Sequence, residues 1–345
     1  WTQQGSDIDG EAAGDQSGYS VSLSSDGNIV AIGASGNAGN GTDAGHVRIY
    51  KNISGTWTQV GSDIDGEAAN DHSGHSVSLS SDGSTVAIGA HTNDGNGTYS
   101  GHVRIYKNIS GTWTQQGSDI DGEAAYDYSG ESVSLSSDGS TVAIGAYSND
   151  DNGTDAGHVR IYKNISGTWT QQGSDIDGEA AYDYSGESVS LSSDGSTVAI
   201  GAYSNDDNGT DAGHVRIYKN ISGTWTQQGS DIDGDVAGDE SGYSVSLSSD
   251  GSTVAIGAIY NDDNGTDAGH VRIYSVSTCT TTSSADTITS CGPYTWTNGV
   301  TYTTSNSTAT DTFVNAAGCD SIVTLNLTNL SIPQDTVLIN QFTMT

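Results

Sequence analysis

The chain has 345 residues, 43 acidic and 9 basic, for a formal net charge of −34, with 47 Gly, 2 Pro, 3 Cys and 33% hydrophobic residues. Charge of that sign repels a phosphate backbone, which excludes nucleic-acid binding through a basic face. The longest apolar runs are five-residue pieces such as 142–146, too short for membrane insertion. Abundant Gly, Ser, Thr, Asn and Asp, with little Leu, Lys or Met, favour many short strands joined by turns. No charged and then apolar leader opens the sequence, so any secretion signal has been removed or lies outside it.

Trp1, Trp57, Trp113, Trp169 and Trp225 recur at a spacing of 56. They open five copies of one unit: 1–56, 57–112, 113–168, 169–224 and 225–274, the last lacking its closing six residues. The third and fourth copies are identical. A period of this size made of strand signals predicts stacked units that cannot bury their apolar faces alone. In the third copy the elements run in order through a Trp strand at 113–116, an acid-rich connection at 119–130, and a strand at 132–136. A Ser-Ser-Asp-Gly turn follows, then strands at 142–146 and 158–162, joined by a polar loop at 148–157. Four antiparallel strands per unit describe the blades of a β-propeller. The expected fold is therefore all-β: a five-bladed propeller over 1–274 and a small β-sandwich-like module over 275–345. The chain opens on a Trp strand and its fifth unit ends without one. The N-terminal strand at 1–4 is thus expected to close the last blade beside 270–274. An open arc completed by another chain is the alternative.

Charge is unevenly placed. All nine basic residues occupy two repeat positions: Arg48, Arg104, Arg160, Arg216 and Arg272, and Lys51, Lys107, Lys163 and Lys219. Of the acids, 39 lie in the repeats, mostly in the connections entering the first and third strands of a blade. Those connections emerge on one side, so the blades build an anionic face whose self-repulsion bound cations or salt would offset. Candidate calcium ligands alternate along the first connection: Asp119, Asp121, Glu123 and Asp127. Their equivalents are Asp7, Asp9, Glu11 and Asp15; Asp63, Asp65, Glu67 and Asp71; Asp175, Asp177, Glu179 and Asp183; and Asp231, Asp233, Asp235 and Asp239. The spacing is that of a calcium loop, except that Gly falls at its fourth place. The competing reading is a solvated strand end with Ile120 in the core. The loop at 149–155 is a second candidate ion site.

The equivalent His46, His102, His158, His214 and His270 read as structural hydrogen-bonding groups, since five copies make no asymmetric catalytic constellation. His72, His75 and His91 cluster in the second repeat alone, as a transition-metal site or as surface drift between repeats. The repeat Trp residues are expected between blades rather than as sugar platforms. Tyr126, Tyr128, Tyr182 and Tyr184 lie in the anionic-face loops and vary between repeats, which makes them the better candidates for ligand contact.

The segments at 130–136, 142–146 and 157–162 (Gly-x-Ser-Val-Ser-Leu-Ser, Val-Ala-Ile-Gly-Ala and Gly-His-Val-Arg-Ile-Tyr) resemble the FG-GAP repeats of integrin α-subunit propellers, most closely their bacterial extracellular branch. The resemblance implies a propeller over 1–274. Propellers of that family have seven blades, against five units here. Their calcium loop joins the first two strands of a blade, where this chain has only Ser-Ser-Asp-Gly, so a calcium site does not carry over to that turn. Residues 291–302 and 315–328 resemble a module of secreted surface proteins of Bacteroidetes-type bacteria. That resemblance implies a Cys291–Cys319 disulfide, with Cys279–Cys291 as the competitor, and an oxidising, extracellular location. It also implies O-glycosylation at Thr287, Ser321 and Thr336. The terminal stretch 331–345 alternates like a strand and could join a sheet edge.

The expected function is that of a non-enzymatic, extracellular structural or adhesive surface protein, assembling with itself into a fibre through spare terminal strands. Calcium is the expected ion. A monomeric adhesin for cell-surface glycans or proteins is the alternative. A propeller glycoside hydrolase ranks third, because no carboxylate pair stands out and no catalytic residue is assigned.

Overall fold

The computed structural model describes residues 1–276, 282–314 and 320–330. The chain divides into two compact units, Trp1–Val276 and Ser277–Thr345, built from strands and turns, with no helix among the described residues.

The third blade shows how one repeat folds. Ser132–Leu135 pairs antiparallel with Thr141–Ala146, and that strand with His158–Ile165. The turn between the first two is tied by Asp138, whose carboxylate accepts from the Ser136 hydroxyl and the Ser140 amide, with Gly139 at φ 70°. The far edge of His158–Ile165 is covered by Thr168–Gln171 and, beyond a break, by Ile176–Asp177. The Trp strand of each repeat from the second to the fifth thus completes the blade begun by the repeat before it. The first, second and fourth blades have the same five-stranded make-up, while the fifth has three strands.

From Val142 to Ala146 the second strand is apolar because blades cover both of its faces. Val142 and Ile144 pack back onto Val103, Ile105 and Ile120, while Ala143 packs forward with Val159, Ile161 and Leu191. Gly145 is required at this seam. A Cβ there would sit 1.9 Å from the Gly186 carbonyl oxygen, where the next repeat enters its first strand. Backbone bonds between successive turns add a ladder: Ser25 N to Ser81 O, Ser81 N to Ser137 O, Ser137 N to Ser193 O, and Ser193 N to Ser249 O, each 2.9 Å.

That ladder ends at the fifth blade, and the expected closing strand is not formed. Residues 1–4 adopt no strand, and among the described residues His270–Ser275 pairs only with Thr253–Ala258. The N-terminal segment is instead held on the flank of the first blade. The Trp57 indole donates to Gln4 O (2.8 Å), just as that of Trp113 donates to Val60 O, and Arg48 donates to Asp9 O, just as Arg104 does to Asp65 O. It therefore occupies the place of an outer strand whose own blade is missing. Exposure measures the consequence. Leu23 is 59% exposed, whereas Leu79, Leu135 and Leu191 are 7% exposed. Val271 and Ile273 are 67% and 71% exposed, whereas Val159 and Ile161 are 0% and 2%.

In the second unit, Thr282–Ser290 lies parallel to Asp320–Asn329, which pairs antiparallel with Thr310–Val314. A hairpin of Tyr294–Thr295 and Thr301–Tyr302 accompanies this sheet. Trp296, Leu325 and Leu327 form its core, and the Trp296 indole donates to Asp286 (2.8 Å). Cys291 is an exposed free thiol, so neither expected disulfide is formed by it, and apolar packing holds this sheet instead. Cys279, Cys319, Thr336 and the stretch 331–345 lie outside the described residues. Thr287 is exposed on its strand and Ser321 is partly buried.

Candidate functional site

The acid-rich connection of the third repeat leaves the outer strand of one blade and enters the first strand of the next. Its four acids do different work. Asp127 is buried, and one of its carboxylate oxygens accepts from the amides of Glu123 (3.0 Å) and Ala124 (2.8 Å), which holds the turn. Asp15, Asp71 and Asp183 repeat those bonds, and Asp239 accepts from the Val236 amide. Asp119 accepts from the Gln115 amide group, as Asp7, Asp63, Asp175 and Asp231 do from their own glutamines. The carbonyl of Asp121 accepts from Arg160 (2.7 Å). Asp9, Asp65, Asp177 and Asp233 each present a carbonyl to the arginine of the next blade in the same way.

The groups that gather come from different connections. Glu123, Asp151, His158 and Asp175 bring one donor atom each to within 4.8 Å of one another, as do Glu179, Asp207, His214 and Asp231. Glu11, His46 and Asp63 form a smaller set, and so do Glu67, His102 and Asp119. In the last repeat Asp235 stands in place of the glutamate and pairs with Arg272, as Glu123 pairs with Arg160. Pairing explains the convergence: His158 lies opposite Asp177 in the blade, which carries Asp175 to its side, and Glu123 reaches across from the preceding connection.

His158 is fully buried, and neither ring nitrogen has a hydrogen-bond partner in the protein. Its Nδ1 lies 3.8 Å from Asp151 and 3.9 Å from Glu123. Burial and then the Arg160 charge push its pKa down to about 4, so the ring is neutral at pH 7. Burial, moderated by Arg160 and reinforced by Asp175, raises the Glu123 carboxyl above its usual range. One imidazole and three carboxylates would hold a divalent cation with mixed nitrogen and oxygen ligands. An all-oxygen calcium cage of six to eight ligands is not present in the side chains alone.

The loop face also carries a band of aromatic rings. Successive pairs are Tyr128–Tyr147 (5.4 Å between centroids), Tyr147–Tyr184 (5.9 Å), Tyr184–Tyr203 (5.4 Å) and Tyr203–Tyr243 (5.8 Å). Tyr128 and Tyr184 lie within the band, whereas Tyr126 and Tyr182 stand exposed at the loop tips. All four have positive φ, between 54° and 71°, a left-handed backbone that is unfavourable for bulky side chains. Tyr147 and Tyr203 were not singled out from sequence. Their signal is a position occupied by Ser35, His91, Tyr147, Tyr203 and Ile259 in the five repeats, where most of the unit is constant. Half-buried Glu187 lies near this band, and burial followed by the charges of Glu131 and Glu240 raises its pKa to about 7.

Residues 62–106, 113–162, 169–218 and 225–274 match the model of the FG-GAP repeat, over more than half of the chain. The chain belongs to the FG-GAP repeat family. Among solved structures, this FG-GAP chain is similar to the periplasmic gluconolactonase PpgL of Pseudomonas aeruginosa, at 14% identity and a TM-score of 0.48 over 91% of this chain and 86% of that one. It is also similar to the hydrazine synthase of Kuenenia stuttgartiensis, at 12% identity and a TM-score of 0.47 over 70% of this chain. The match spans 61% of the length of the hydrazine synthase chain. No curated protein sequence matches the FG-GAP chain.

Proposed function

We propose that the chain is a non-enzymatic structural protein of the cell exterior that assembles head to tail with copies of itself. The observation that carries this reading is the pair of uncovered end faces. The first blade presents Val21 and Leu23, and the fifth presents Val271 and Ile273 beside a strand edge that is unpaired among the described residues. These are the same side chains that meet at every internal seam, so the fifth blade of one copy offers the first blade of another the surface it is built to receive. The segment 1–4, already seated on the first blade, would add the missing outer strand to the neighbour. Association between unlike ends gives open filaments unless the rotation closes them. Divalent cations, calcium among them, would bind the acid–histidine sets and lower the repulsion of the loop face.

Sedimentation over a concentration series, with negative-stain microscopy, tests this. Growth into filaments, abolished by Leu23→Lys and by Val271→Lys, supports it. A monomer at every concentration contradicts it. The exposed tyrosines at the loop tips favour a second reading, an adhesin that stacks sugar rings on Tyr126 and Tyr182. Glycan-array binding lost in Tyr126→Ala and Tyr182→Ala would support that reading.

A further inference from the structure

The repeat symmetry is broken at one place where chemistry gathers. The residue preceding the Ser-Val-Ser-Leu run of each blade is Tyr19, His75, Glu131, Glu187 and Tyr243 in turn. The residue following the second strand is Ser35, His91, Tyr147, Tyr203 and Ile259. Among the described residues, two histidines and a carboxylate meet only between the second and third repeats. The first and second strands of the second blade pair Ser76 with Gly89, which sets His75 and His91 at the same end of that blade. Glu131 reaches them from the corresponding end of the next.

The three side chains are mostly buried. His75 Nε2 lies 2.8 Å from Glu131 Oε1, His91 Nε2 lies 4.0 Å from Glu131 Oε2, and the two imidazole centroids are 3.8 Å apart. All three donor atoms fall within 4.8 Å of one another. His91 Nδ1 is buried without a hydrogen-bond partner, so the ring lacks the contacts that normally hold a buried structural histidine. In a tetrahedral site with bonds near 2.0–2.2 Å, ligand atoms are separated by roughly 3.3 Å. The observed separations of 2.8 and 4.0 Å bracket that spacing, so small side-chain movements complete it.

The geometry points to a site for one zinc-class ion, held by His75, His91 and Glu131, with water in the fourth position. Two imidazoles and one carboxylate suit zinc, cobalt, nickel or copper, whereas calcium and magnesium prefer oxygen. The ion replaces the His75–Glu131 hydrogen bond and links the second blade to the third. This site shares no residue with the acid–histidine sets and does not depend on head-to-tail assembly.

The test is calorimetric titration of the tag-free full chain with zinc, in excess calcium and with the cysteines alkylated, together with the visible spectrum after cobalt addition. One ion per chain and the intense bands of four-coordinate cobalt are expected. His91→Ala and Glu131→Gln should each weaken zinc by more than the roughly 10–100-fold that loss of an outer partner costs. His91→Asn, closer in shape, guards against misfolding, and circular dichroism without metal must match the parent. His72→Ala should bind as the parent does. Unchanged affinity in folded His91→Asn and Glu131→Gln, or no zinc binding by the parent, would each overturn the site.

Discussion

Ile161→Ala and Ile273→Ala are one substitution at equivalent places in the third and fifth blades, and the structure assigns them opposite consequences. Ile161 is 2% exposed and packs with Val159, Ile176, Leu191 and Val198. Truncating it leaves a cavity between two blades and should cost about 2–5 kcal/mol. Ile273 is 71% exposed, so the same truncation in an isolated molecule removes little buried surface and should stay within about 0.5 kcal/mol. Urea unfolding of dilute protein compares the two directly. At higher concentration the order changes, because Ile273 becomes a seam residue between copies. Losing one buried isoleucine, about 1.5–3 kcal/mol, weakens association roughly ten- to hundred-fold, readable by sedimentation. Equal destabilisation by both substitutions in dilute solution would refute the reasoning, since it would mean that the fifth blade is covered within one chain.

Other perturbations address the loop face. Asp127→Ala strands the Glu123 and Ala124 amides and should destabilise by roughly 1–3 kcal/mol in urea unfolding, a loss that Asp127→Asn should partly recover. Glu187 has a folded pKa of about 7, above the ordinary carboxylate value, so the stability it supplies is complete at low pH and is lost as pH rises through 7. Glu187→Gln should therefore raise the melting temperature at pH 8, by the equivalent of at most roughly 3 kcal/mol, by less at about pH 5, and leave it unchanged at about pH 3.5, all in chelator. His102 and His158 act in the opposite sense. Their folded pKa values near 4 lie below 6.5, so stability that is full above 6.5 falls as pH drops through 4, visible as acid unfolding that is shallower in His158→Gln. Calcium at a hundred times its dissociation constant should add about 2.7 kcal/mol, read as a chelator-reversible rise in melting temperature, and an unchanged value over millimolar calcium would contradict ion binding by the folded chain.

Much of the blade was legible in the sequence because its determinants are local. The 56-residue period, the Ser-Ser-Asp-Gly turn and the doubly apolar Val-Ala-Ile-Gly-Ala run each signal their conformation within a few residues. The strand from His158 runs on to Ile165, past the expected 162, because Thr168–Gln171 turns back and pairs with its end. The candidate site was less legible. Glu123, His158 and Asp175 are far apart in the chain and meet only through cross-strand pairing, whereas sequence spacing grouped Glu123 with the neighbouring Asp127, a turn cap. Ring closure is not a local property at all. Trp1 carries the right strand pattern, but pairing with His270–Ser275 depends on the summed angles between five blades.

The account stands on two uncovered ends that belong against another copy, and a cross-link measures this most directly. With the three native cysteines changed to serine, Leu23→Cys and Ile273→Cys are combined in one chain and oxidised. A ladder of covalent multimers on a non-reducing gel is the predicted result, with no ladder when either cysteine is omitted. A single monomeric band of increased mobility, from a bond within one chain, would contradict the open arc.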